Sequence, residues 1–264
     1  MQKILELTPN KIGWMATLLV CALFVIKPNA LEILELQMID LRFKTRGPLQ
    51  PGPEVVLAVV DEKSQDALGR WPWPRSVLAG LVDKLTAYNA FTIAFDIVFS
   101  ESGDDVYHEA VRMVEQQAQL GKIDPAAAAA LREQFLKEKT GDELFADALQ
   151  RNGNTVLAFF FHDDPRDILH LSSAQIRQGL SAIERFRYKD LDIRAPEGME
   201  YIDRILSRPA VEANLPLFAD AAFAAGYFNL VPDADGIMRR YPVIMKGGAN
   251  YYAPFWLHTV TNYR

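Results

Sequence analysis

Cysteine is nearly absent from this chain. The single one, Cys21, lies inside the most hydrophobic run, so the segment after it has no means of forming a disulfide, a cysteine zinc site or a thiol nucleophile. Histidine is scarce as well, and His108, His162, His170 and His258 show no metal-ligand spacing of the H-E-x-x-H kind. The phosphate-binding P-loop, the G-x-G-x-x-G fingerprint and the G-x-S-x-G elbow are missing, and no nucleophile–base pair suggests itself. A basic cluster is missing too. The 28 Lys and Arg are scattered among 34 Asp and Glu for a net charge of -6, which is not the footprint of a nucleic-acid binder. What remains, half hydrophobic and 23% charged over 264 residues, is an ordinary globular composition with room for one large domain or two small ones.

The strongest positive signal is IGWMATLLVCALFVI, residues 12–26, uncharged and flanked by Lys11 and Lys27. At ~1.5 Å per residue it covers about 22 Å, short of the ~30 Å hydrocarbon core. Snorkelling lysines and an interfacial Trp14 extend its reach. Apolar residues then continue at helical spacing through Leu31, Leu34, Met38 and Leu41. The expectation is an uncleaved anchor helix over residues 12–43, kinked near Pro28, with residues 1–11 as a cytoplasmic N-terminus. A cleaved signal peptide fits less well, because Pro28-Asn29-Ala30 is a poor cleavage site; a buried core helix is the plainer alternative. Charge does not fix orientation: Lys3 and Lys11 precede the run, and Lys27, Arg42, Lys44 and Arg46 follow it. The stripe Leu31–Leu34–Met38–Leu41 fits a second copy of the same helix in a homodimer, and equally the domain or further membrane helices.

PLQPGP, residues 48–53, separates the anchor from a domain expected over residues 54–264. Val-rich 54–61 predicts a strand buried on both faces and ending at Asp61. Residues 75–88 predict a helix with Ser76 as N-cap, and 91–99 a second strand, parallel to the first through a right-handed crossover. Residues 104–151 predict helices, with an Asp124 cap and a stop at Gly153; 155–163 predict another buried strand. Residues 164–215 read as a partly helical excursion. A short helix closed by Gly226 follows, then two strands joined by the PDADG turn and a final helix from Ala253. The fold class is α/β, a three-layer α/β/α arrangement with a central mostly parallel sheet and an antiparallel edge hairpin, preceded by one N-terminal transmembrane helix.

Four segments, in order, resemble the cyclase/histidine-kinase-associated sensory extracellular family of type 2: DLRFKTRGP (40–48), VVDEKSQDALGRWPWPRS (59–76), IAFDIVFSE (93–101) and GYFNLVPDADGIMRRYP (226–242). GDELFADALQRNGNTVLAF also fits, and the likeness spans nearly the whole chain. The resemblance implies the extracytoplasmic input domain of a bacterial receptor in the cytoplasmic membrane, without catalysis or cofactor of its own. Further membrane helices and a cyclase, kinase or phosphatase output would follow. No output module stands before Arg264, and the aromatic stretch near the end suggests a fragment. The family's ligand is not carried over.

Candidate ligand residues lie where parallel strands would end. Asp61 and Asp96 are weak metal candidates, or caps of the loops after them. Arg70, Trp71, Trp73 and Arg75, in GRWPWPR, suit an anion or a planar ligand, or else form a rigid lid over the sheet edge. Asn229 completes the set. Asp233-Ala234-Asp235-Gly236 begins like a calcium loop, but position twelve is Ile244, so a turn is the better reading. Alternatives to a sensor are a metal-dependent periplasmic hydrolase using Asp61 and Asp96, or a scaffold for another envelope protein.

Overall fold

The computed structural model describes residues 8–26, 29–103, 105–137, 139–191 and 205–263. Its contacts divide the chain into two units. Met1–Val59 with Pro232–Arg239 form one, and Val60–Val231 with Arg240–Arg264 the other.

The first unit contains α1 (Pro9–Ile26) and α2 (Asn29–Arg46). Pro9 sits in the first turn of α1, where a missing N–H costs nothing. With a mean hydropathy of 1.6 over 18 residues, α1 is long and apolar enough to cross a membrane, and none of it is buried. That removes the core-helix alternative. The kink expected at Pro28 lies outside the described residues. On α2, Leu36 is buried while Leu31, Leu34, Met38 and Leu41 are exposed.

Residues 54–61 depart from expectation. They form no strand, and Val55, Val56, Leu57 and Val59 are all exposed. Strand propensity is realised only through pairing and burial, and this run has neither. The parallel crossover expected between 54–61 and 91–99 is therefore not formed. Asp61 instead opens α3 (Glu62–Leu68).

In the second unit, α4 (Arg75–Ala87) starts at the expected residue, but with Pro74 rather than Ser76 at the N-cap. Then come β1 (Ile93–Phe95), α5 (Asp105–Gln119), α6 (Pro125–Lys137), α7 (Gly141–Asn152) and β2 (Thr155–Phe161). After α8 (Ser173–Ile183) follow β3 (Ser207–Arg208), β4 (Val211–Glu212), α9 (Pro216–Ala221), β5 (Ala224–Tyr227), β6 (Met245–Gly247), β7 (Asn250–Tyr252) and α10 (Phe255–Tyr263). A capping box between Thr140 and Glu143 opens α7, and Gly153 closes it. Ser172 and Gln175 do the same for α8.

The sheet is built on β2, which pairs in parallel with β1 and with β5 and, at Phe160–Phe161, antiparallel with β4. A second sheet joins β3 in parallel to β6, which pairs antiparallel with β7. The antiparallel hairpin is thus β6–β7. The expected pair of strands around PDADG is not formed, because residues 228–244 contain no strand.

Period-2 alternation sends Ile93, Phe95, Leu157, Phe159, Phe161, Ala225 and Tyr227 into one core with Leu78 and Val82 of α4, Phe145 and Leu149 of α7, and Phe218 of α9. Phe99, Phe145 and Phe218 meet edge to face, with ring centroids 5.0–5.8 Å apart. Both α7 and α10 also pack on β2.

Gly226 does not close a helix. It lies within β5, where an added Cβ would stand 2.5 Å from the Phe255 backbone nitrogen and 2.7 Å from the Ala253 oxygen. The glycine is there for close backbone approach. Gly226→Ala is expected to destabilise the domain by at least ~1–3 kcal/mol. Gly80→Ala, facing open space on α4, should stabilise it by about 0.5–1 kcal/mol. Urea unfolding followed by circular dichroism distinguishes the two, and equal effects would contradict this packing.

Candidate functional site

Most of the candidate residues have a definite local task. Asp61 is exposed and N-caps α3, its Oδ1 accepting from the Ser64 N–H at 2.9 Å and from the Ser64 hydroxyl at 2.6 Å. Those bonds favour the charged form and hold its pKa below the usual carboxylate value. In the GRWPWPR loop, Trp73 is buried; its indole N–H donates to the Gly69 carbonyl at 2.7 Å, and its ring meets Trp71 edge to face at 5.6 Å. Trp71 is half-buried and Arg70 exposed.

Arg75 turns inward. Its guanidinium lies over the Phe99 ring at 4.7 Å, donates to the Glu101 carbonyl at 3.1 Å and stands 3.5 Å from the Asp142 carboxylate. Asp142, itself buried, also accepts from the Ser102 hydroxyl at 2.7 Å and the Gly103 N–H at 3.1 Å. The start of α4, the segment after β1 and the start of α7 are thereby tied at one point.

Two buried asparagines complete the sheet. Asn229 accepts from the Phe161 N–H at 2.8 Å and donates to the Phe161 carbonyl at 2.6 Å, so its side chain takes the place of a strand partner. Asn214 accepts from the Phe99 N–H and donates to the Ala158 carbonyl, both at 2.8 Å. Sequence reasoning placed Asn229 among ligand candidates and missed Asn214. The only signal for the latter was one amide in an apolar stretch. Asp96 is exposed, and its charge, after burial, helps push the Tyr241 phenol up to about 12. Tyr241 stacks on Tyr227 at 6.2 Å.

In the first unit, PDADG makes a turn. The Gly236 N–H donates to the Asp233 carbonyl at 2.8 Å, with Gly236 at φ 81, where a side chain would be strained. Arg239, with its side chain only 4% exposed, gathers three carboxylates. Its Nε and Nη2 donate to Asp40 of α2 at 2.6 and 2.7 Å; Nη1 and Nη2 donate to Asp235 at 2.8 Å each; Nη1 reaches Asp233 at 3.3 Å. This fork-on-fork geometry is the strongest form of Arg–carboxylate pairing. Asp235 and Asp233 are near in sequence, but Asp40, 199 residues away, had no local signal. The Arg239 hydrogen bonds hold the Asp40 carboxyl below its usual value and that of Asp235 at about 2. With folded pKa values below the unfolded 3.8, both carboxylates contribute fully above that value. The contribution is lost as pH falls through the folded values.

Among the described residues, no group of three or more His, Cys, Asp or Glu is placed to hold a metal ion. Calcium titration of an Asp61→Ala/Asp96→Ala variant should match the parent; lost affinity would restore the paired-carboxylate site. Asn229→Ala should cost on the order of 1–3 kcal/mol for each Phe161 backbone group left without its partner, read by urea unfolding.

The family model described as CHASE2 domain matches residues 15–264. No curated protein and no solved structure matches the chain.

Proposed function

This chain belongs to the CHASE2 family, and on that premise we propose that it is the stimulus-sensing input domain of a bacterial transmembrane receptor. It lies on the outer side of the cytoplasmic membrane and works as a homodimer on a cyclase, kinase or phosphatase output. CHASE2 is a sensory extracellular family and not a catalytic one. The single observation that supports the reading is the match from residue 15 onward, which takes in most of the exposed apolar helix α1. A domain held beside a membrane by such a helix has a physical route for passing on a change of shape, provided that the stimulus binds two of its states unequally.

We read the sensor domain as residues 54–264 in three α/β/α layers, a reading supported by α7 and α10 both packing on β2. Its ligand, a small molecule or an envelope protein, would meet Asp96, Arg70 and the half-buried Trp71, whose polar or aromatic groups reach solvent. Trp73 and Arg75 tie the flanking loops, while Asp61 caps α3 and Asn229 brackets the end of β2.

Topology is the test. With alkaline phosphatase fused after Arg264 and a cytoplasm-active reporter in parallel, phosphatase activity in the membrane fraction is expected. Activity of the cytoplasmic reporter alone would overturn the reading.

A further inference from the structure

The Arg239 cluster is more than a way of closing a turn. Residues 232–239 leave the second unit after Val231 and return to it at Arg240. Both roots of this excursion are fixed. On the way out, the Asn229 amide brackets Phe161 at the end of β2. On the way back, Tyr241 stacks on Tyr227 of β5, and the Tyr227 hydroxyl donates to the Pro242 carbonyl at 2.6 Å. At its tip the excursion holds α2 through Arg239 and Asp40. The tip itself is stiffened by the turn bonds and by the pairing of Arg239 with Asp233 and Asp235.

We propose that the Asp40–Arg239 pair is a mechanical joint that makes the juxtamembrane helix α2 follow the excursion 232–239. That it serves signalling rests on the input-domain reading above; the joint itself does not. Two points favour a joint over a surface ion pair. The guanidinium is almost fully withdrawn from water, where exposed pairs contribute little. Its two forks also fix orientation as well as distance, which a lysine would not do.

The experiment uses the full chain in phospholipid nanodiscs, with Cys21→Ser and nitroxide labels on Glu35→Cys and Ile237→Cys. Double electron–electron resonance reads the distance between α2 and the tip. A narrow distribution is expected in the parent and in Asp235→Asn, which keeps the Asp40 pair. Loss of the narrow peak is expected in Arg239→Ala and in the milder Asp40→Asn, with near-UV circular dichroism of the core retained. If Arg239→Ala fails to fold, Asp40→Asn alone decides. A peak that stays narrow in Asp40→Asn overturns the joint. Membrane sidedness does not enter this readout, so failure of the joint and failure of the sensor reading are told apart.

Discussion

The backbone of β2 must be satisfied in a place without water. From Thr155 to Phe159 and again at Phe161, its residues are completely buried, and a buried N–H or C=O left unpaired costs about as much as the hydrogen bond it lacks. Three strands meet most of this need, β1 and β5 along its sides and β4 at its end. They stop short. Asn229 takes both polar groups of Phe161, and Asn214 takes the Ala158 carbonyl together with the Phe99 N–H. A side-chain amide matches a peptide group in donor and acceptor, which is why asparagine, and not a carboxylate or a hydroxyl, stands at both positions.

The segments through which the chain resembles its family form ties of this kind. Arg75 of the tryptophan–proline loop reaches the segment after β1 and Asp142 at the head of α7. Arg239 of the last segment reaches Asp40 of the first. These residues spend their polar groups on one another and hold the frame, leaving Asp96 and Arg70 exposed and Trp71 half-buried. A sensory module needs such a frame, because a binding event can be passed on only through parts that move together.

Much of this was legible in the sequence where the signal is local. The apolar runs of α1 and β2 and the capped helices α6 and α7 could be read from composition, periodicity and end signals, and the turn at Gly236 from its chemistry. The run 54–61 had the composition of a buried strand, but pairing depends on neighbours that composition does not name. Gly226 looked like a helix stop because the close approach of Phe255 is a tertiary fact. Arg75 and Asn229 were singled out as ligand candidates, whereas their bonds run inside the chain to Asp142 and Phe161, partners that lie far along it. The link from Asp40 to Arg239 spans 199 residues and could not be read from either end.

Amide hydrogen exchange on the full chain in nanodiscs tests most directly whether the frame is held by these internal ties. The account places the Phe99 and Phe161 amides, bonded to buried asparagines, among the slowest to exchange, alongside the ladder amides of β2. Fast exchange at Phe99 and Phe161, with β2 still protected, would contradict it.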